Sequence, residues 1–126
     1  MRIISGKFKG KKISFINSVV TRPLRDYVKE NIFNIITHGK NKSLKLDKAK
    51  VLDLYSGVGS FGIECLSRNV KKVVFVEKDP KAFAVLKKNI IDLNFSKRVK
   101  LVSEDIINYI ENSNFTEKFD LIFLDP

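Results

Sequence analysis

Cysteine, histidine and, in its first half, acidic residues are scarce in this 126-residue chain. Cys65 is the single cysteine, so no disulfide can close within the chain and no cysteine cluster can hold a metal. His38 is the single histidine; with no second imidazole to join it, it reads as a capping or surface residue near a helix end, not a metal ligand. Apolar runs are interrupted every few residues, which argues against a membrane span. The opening Met1-Arg2-Ile3-Ile4-Ser5-Gly6-Lys7 reaches glycine and lysine before any long apolar stretch, unlike a secretory leader. The expectation is a cytoplasmic setting with no membrane partner and no metal.

The shortage of acids is local. Residues 1–50 hold 13 Lys/Arg against 3 Asp/Glu, whereas residues 51–126 hold 11 of each. The whole formal excess of +10 therefore sits on the N-terminal segment. Such a patch attracts a polyanion and speeds encounter. The competing explanation is a lysine-rich solvated face, since 19 lysines stand against 5 arginines. Hydrophobic residues make up 44% of the chain, enough for one modest folded core.

Two regions follow from this asymmetry, a basic part over residues 1–50 and a strand–helix part over 51–126. Residues 2–16 suggest a basic hairpin, with Gly6 and Gly10 permitting the turn and several lysines exposed. Phe8 is expected to pack, with base stacking as the alternative. Val28, Ile32, Ile35 and Ile36 recur at helical spacing beside Phe33. They predict an amphipathic helix over residues 23–38, capped by Thr21, opened by Pro23 and ended by Gly39. A polar connector over 40–50 follows, in which Leu44 and Leu46 could dock.

Beyond it, apolar strands at 51–55, 73–76, 99–102 and 121–124 alternate with helices beginning near Phe61, Pro80 and Ile106. Asp105 or Ser103 is placed to cap the last helix. Continuous apolar strands joined by helices predict a parallel sheet covered on both faces. The fourth strand is expected at an edge, unless residues beyond Pro126 cover it.

The densest signal lies in residues 51–68. Gly57 and Gly59 fall in the turn between the first strand and its helix, where a missing side chain permits a sharp turn and close approach to a ligand. Asp53, Glu77 and Asp105 fall at or after the carboxyl ends of successive strands, where open α/β sheets bind ligands. Asp53 could hold an ammonium group or waters, Glu77 both ribose hydroxyls, and Asp105 an adenine amine. Gly57-x-Gly59-x-x-Gly62 also matches the dinucleotide spacing, although the early Asp53 favours a positively charged ligand end over a pyrophosphate. A glycine turn that only joins strand to helix is the third possibility.

The order of these motifs resembles the bacterial methyltransferases that modify the exocyclic N2 amine of a guanine in small-subunit 16S ribosomal RNA. The resemblance is carried by residues 2–12, by Thr21-Arg22-Pro23 with Arg25, Val28 and Phe33-Asn34, by residues 51–62 with Glu64 and Leu66-Ser67-Arg68, and by Phe75-Val76-Glu77-Lys78-Asp79. It covers nearly the whole chain. It implies a Rossmann-like α/β fold of the class I methyltransferases, preceded by a basic hairpin and helix, and S-adenosylmethionine as cofactor. By position it implies that Asp53, Tyr55, Ser56 and the Gly57 and Gly59 turn hold the methionine part. Glu77 and Lys78 would sit at the ribose, and Asp105 with the Ile106 amide at the adenine. Lys7, Lys9, Lys11, Lys12 and Arg22 would touch RNA, naked or in an assembling small subunit. The family's catalytic signature is Asp-Pro-Pro-Tyr. Asp125 and Pro126 supply its first half, so the second proline, the stacking aromatic and the later strands are expected to be missing. A strand-ending aspartate before a turn is the plainer reading of Asp125. Two other functions stay open: a methyltransferase acting on a different RNA or on DNA, and an inactive cofactor- or RNA-binding fragment.

Overall fold

The structure, a computed structural model, describes residues 1–16, 24–39, 44–113 and 117–126. Four strands, β1 (Lys50–Leu54), β2 (Lys72–Val76), β3 (Val99–Val102) and β4 (Leu121–Leu124), form one parallel sheet in the order β3-β2-β1-β4. Helix α1 (Asp26–His38) precedes the sheet, and α2 (Ser60–Ser67), α3 (Pro80–Asp92) and α4 (Ile106–Asn112) connect its strands. This is the Rossmann-like α/β arrangement expected from the alternation.

The strands form because valine, leucine and phenylalanine suit a pleated surface buried on both sides. Val51, Val73 and Phe75 enter a core with α2, α3 and Phe33 of α1, while Leu52, Leu54, Val74 and Val76 pack with Ile106 and Tyr109 of α4. Successive strand residues thus serve opposite faces, as a period of two requires. Asp120 registers the edge strand: its amide donates to the Lys50 carbonyl at 2.8 Å, and its carboxylate accepts from the Lys50 amide at 2.8 Å. Strand β4 is an edge among the described residues, with Ile122 and Leu124 exposed on one face. Helix α3 opens on Asp79, whose carboxylate accepts from the Ala82 amide at 2.9 Å, with Pro80 in the first turn.

The N-terminal segment is the expected hairpin, closed by the Ile3 amide to the Lys11 carbonyl at 2.9 Å, the Gly10 amide to the Ile3 carbonyl at 2.8 Å and the Ile13 amide to the Met1 carbonyl at 3.1 Å. A single antiparallel bridge joins Arg2 and Lys12. Its loop is also docked on α2. Glu64 Oε1 and Oε2 accept from the Ile4 and Ser5 amides at 2.8 and 3.0 Å. The Ser67 carbonyl and hydroxyl accept from the Lys7 and Phe8 amides. Phe8 packs edge-on against Phe95, so the packing alternative holds.

Helix α1 departs from its predicted bounds and face. It starts at Asp26 with Arg25 at the cap position and no side-chain cap; Thr21, Arg22 and Pro23 lie outside the described residues. Gly39 ends it in an extended backbone, not a left-handed one. Ile35 is 72% exposed, whereas Lys29 is fully buried beside Phe33. The cause lies on other elements. The Lys29 ammonium donates to the Arg2 carbonyl at 2.7 Å and the Ser60 hydroxyl at 3.1 Å, and lies 3.4 Å from Glu64. Those partners offset the desolvation that an unpaired buried ammonium could not survive.

Candidate active site

In the order β3-β2-β1-β4 the chain moves outward from β1 through β2 to β3 and then returns to the opposite side of β1. The crevice at the carboxyl ends of β1 and β4 is therefore the topological switch point, where α/β sheets bind ligands. A cavity of about 400 Å³ opens there.

Asp53, Tyr55, Ser56, Gly57, Glu77, Lys78, Asp105, Ile106, Asp125 and Pro126 all line it. Asp53 is buried on β1, and its Oδ2 accepts from the Gly62 amide in the first turn of α2 at 3.1 Å. Burial pushes its pKa up to about 8; the Gly62 hydrogen bond opposes this, and the nearby Asp125 and Glu77 charges add to it. The Ser56 hydroxyl donates to the Asp53 carbonyl at 2.6 Å, locking the start of the turn. Tyr55 and Gly57 take positive φ angles of 55° and 57°. Glu77 closes the turn from β2: its Oε1 accepts from the Gly57 amide at 2.8 Å and its Oε2 from the Asp79 amide at 2.9 Å. Asp105 caps α4, accepting from the Ile107 amide at 3.3 Å, and Asp125 stands exposed after β4.

Gly59 differs from the other predicted ligand residues. It is buried with φ of 95°, and a Cβ there would stand 2.5 Å from Leu86 Cδ1. Its missing side chain serves the joint between turn and core, so it faces α3 and not the cavity. Lys7, Lys9, Lys11 and Lys12 are all exposed on the N-terminal loop, and Arg22 lies outside the described residues.

Sequence reasoning missed the wall that the N-terminal segment builds. Met1, Phe15, Ile16 and Leu24 line the same cavity, beside Phe61 and Phe123, whose rings stack at 3.7 Å. It also missed Asn89 as an organiser. This buried amide on α3 accepts from the Ser14 amide at 3.0 Å, donates to the Ser14 carbonyl at 2.9 Å and donates to the Val58 carbonyl at 3.0 Å. The only available signal was a polar residue on the apolar side of α3, between Leu86 and Ile90.

Charge decides what the cavity accepts. Besides Asp53, whose raised pKa keeps it mostly protonated at neutral pH, five acidic side chains line it, Glu77, Asp79, Glu104, Asp105 and Asp125, against one lysine among the described residues, Lys78. A pyrophosphate would meet repulsion there, whereas a cation with hydroxyl and amine groups would find acceptors.

The profile of a protein family described as "Conserved hypothetical protein 95" matches residues 1–126. The chain belongs to this family. It is 35% identical over its full length to the ribosomal RNA small subunit methyltransferase D of Haemophilus influenzae, covering 63% of that protein. Against the protein of the same name from Buchnera aphidicola subsp. Baizongia pistaciae it is 36% identical, covering all of this chain and 60% of that one. The chain thus spans about six tenths of the length of these curated relatives. Among solved structures, a Haemophilus influenzae protein described as a methylase superposes with a TM-score of 0.75 at 32% identity, covering 99% of this chain and 63% of that one. The superposition on this solved structure agrees with the Rossmann-like fold.

Proposed function

We propose that the protein is an S-adenosylmethionine-dependent methyltransferase that modifies the exocyclic N2 amine of a guanine in 16S ribosomal RNA. The observation that carries the reading is the acid-rich cavity at the β1–β4 switch point, in a chain whose relatives are named ribosomal RNA methyltransferases. The lining fits the donor. Its sulfonium and ammonium are cations suited to the carboxylates. Each Glu77 oxygen already accepts one amide, yet an ionised carboxylate has about four acceptor sites, which leaves capacity for two ribose hydroxyls. In this reading Asp105 and Ile106, both in the cavity lining, would meet the adenine, and Lys78 would sit at the ribose.

When bound, the donor supplies an electrophilic methyl group on sulfur. The protein's own contribution is alignment and electrostatics. A guanine amine is a weak nucleophile because its lone pair is delocalised. Asp125, exposed at the cavity mouth, would accept a hydrogen bond from that amine and offset part of this, taking the proton directly or later. The base must leave its stack to arrive there. In this reading residues 1–50 are the RNA-contacting extension, Lys7, Lys9, Lys11, Lys12 and Arg22 meet phosphates, and residues 51–126 bind the donor. The partner is the RNA itself or an assembling small subunit in the cytoplasm. The test is transfer of labelled methyl from the donor to small-subunit ribosomal RNA, with the product nucleoside identified by mass spectrometry. Donor binding without transfer to RNA would sink the assignment.

A further inference from the structure

A second cavity, of about 690 Å³, lies beside the first, lined by Arg2, Lys12, Ser14, Phe15 and Asp26 among others. Met1 and Phe15 line both, so the two spaces adjoin at the N-terminal segment. Phe15 is 52% exposed. Burial of such a ring contributes about 1.5–3 kcal/mol, so leaving it in water forgoes stability that the fold could have used.

The ring does not sit on a loose tether. Ser14, its neighbour, is clamped through both backbone groups by the buried Asn89 amide, and the same amide holds the Val58 carbonyl in the glycine turn. One side chain thus ties the residue before Phe15 to the turn of the first cavity. Arg2 and Lys12 are exposed and joined across the antiparallel bridge, which sets two cations on the same groove. In the Arg2–Asp26 pair, at 3.5 Å, the guanidinium is two-thirds exposed and most of its five donors stay available.

We propose that Phe15, Arg2 and Lys12 form a nucleotide subsite for single-stranded RNA leading into the donor cavity. The ring stacks on a base flanking the target, and the two cations hold the adjoining phosphates. A lone aromatic between cations matches the stacking-plus-phosphate pattern of single-strand binding better than the continuous apolar patch that a protein partner would use. The subsite rests on the RNA-methyltransferase reading and adds to it a residue outside the basic set.

The test is a titration of the protein, monitored by anisotropy, with a fluorescein-labelled ten-nucleotide single-stranded RNA, repeated with a 2-aminopurine version that reports stacking. Phe15→Leu should weaken binding about tenfold and lessen the 2-aminopurine quench, and Phe15→Trp should restore both, as base–aromatic stacking of this strength implies. Arg2→Gln with Lys12→Gln should lower the salt slope by roughly one to two. If the parent protein fails to bind RNA at all, the RNA-methyltransferase reading falls and takes the subsite with it. If the parent binds and Phe15→Leu binds equally well with the same quench, the subsite alone is overturned. Weakened binding that Phe15→Trp does not restore also overturns the stacking role.

Discussion

At the residue scale, Asp53 is a site residue whose chemistry departs far from its ordinary state. Its carboxyl titrates near 3.8 when unfolded and near 8 in the folded protein. Between those values the folded state holds the extra proton, so this group's contribution to stability falls as pH rises toward 8. Asp53→Asn keeps an acceptor for the Gly62 amide and removes the titration. The variant's advantage in melting temperature over the parent should therefore widen from pH 5 to pH 8, as measured by differential scanning fluorimetry; a constant gap contradicts the raised pKa. The same group links donor binding to protons. A cationic donor favours the ionised carboxylate, so affinity should rise with pH toward 8 and binding at pH 7 should release protons. Asparagine cannot supply that charge. A hydrogen bond to a charged group contributes about 1.5–3 kcal/mol, so Asp53→Asn should weaken donor binding about 10- to 100-fold by calorimetry.

Glu64 matters through the partners it holds. Its two oxygens receive the Ile4 and Ser5 amides and the Arg68 guanidinium, and Lys29 lies against it with both side chains fully buried. Burial pulls the Lys29 pKa down, and the Glu64 charge opposes that pull. Glu64→Ala would strand the Lys29 ammonium and three other donors. Breaking a buried pair of this sort costs about 3–5 kcal/mol, which urea unfolding should register. A loss below about 1 kcal/mol would contradict the anchoring role.

At the scale of elements, the contact between the N-terminal loop and α2 is tight at Gly6. It takes φ of +86°, and a Cβ there would stand only 2.0 Å from the Ser67 carbonyl oxygen, a backbone atom that cannot yield. Gly6→Ala should lift the loop at a cost of about 1–3 kcal/mol. Hydrogen exchange at the Lys7 and Phe8 amides, which bond to Ser67, should accelerate while β2 amides keep their protection. Unchanged protection at Lys7 would count against this docking.

The elements also mark what was legible beforehand. Strands β1 to β4 and the turn at Gly57 could be read because a buried parallel strand is a continuous apolar run and a positive φ favours glycine. The gathering of Asp53, Glu77 and Asp105 was legible because parallel connections bring carboxyl ends to one edge. The buried Lys29 was not, because its partners Arg2, Ser60 and Glu64 come from a loop and another helix, and periodicity within α1 reports only its own side chains. The apolar repeat accordingly assigned Ile35 to the core, whereas the fold leaves it exposed. Gly59 could be read as special but not why, since Leu86 fills its space from α3. Phe15 carried no pattern at all; its place at the cavity depends on the Asn89 clamp.

At the scale of the whole molecule, charge is divided by task. The basic excess lies on residues 1–50 and the acid-rich cavity opens beside it, so under the proposed function a polyanion is drawn to the N-terminal loop while the cavity favours a cation. Replacing Lys9, Lys11 and Lys12 with glutamine should weaken RNA binding most at low salt and reduce the slope of log affinity against log salt by about 2–3. A slope unchanged by the triple substitution would contradict the electrostatic assignment of that loop.

The central claim is that one cavity binds a methyl donor and presents it to ribosomal RNA. Its most direct measurement is radiolabelled methyl transfer to small-subunit ribosomal RNA, comparing the parent protein with Asp125→Ala after each has been shown to bind the donor. Label is expected on a guanine N2 amine for the parent, with a loss of at least about a hundredfold in rate for Asp125→Ala and donor binding retained. Label appearing at the same rate in both proteins, or on no nucleic acid despite donor binding, would contradict it.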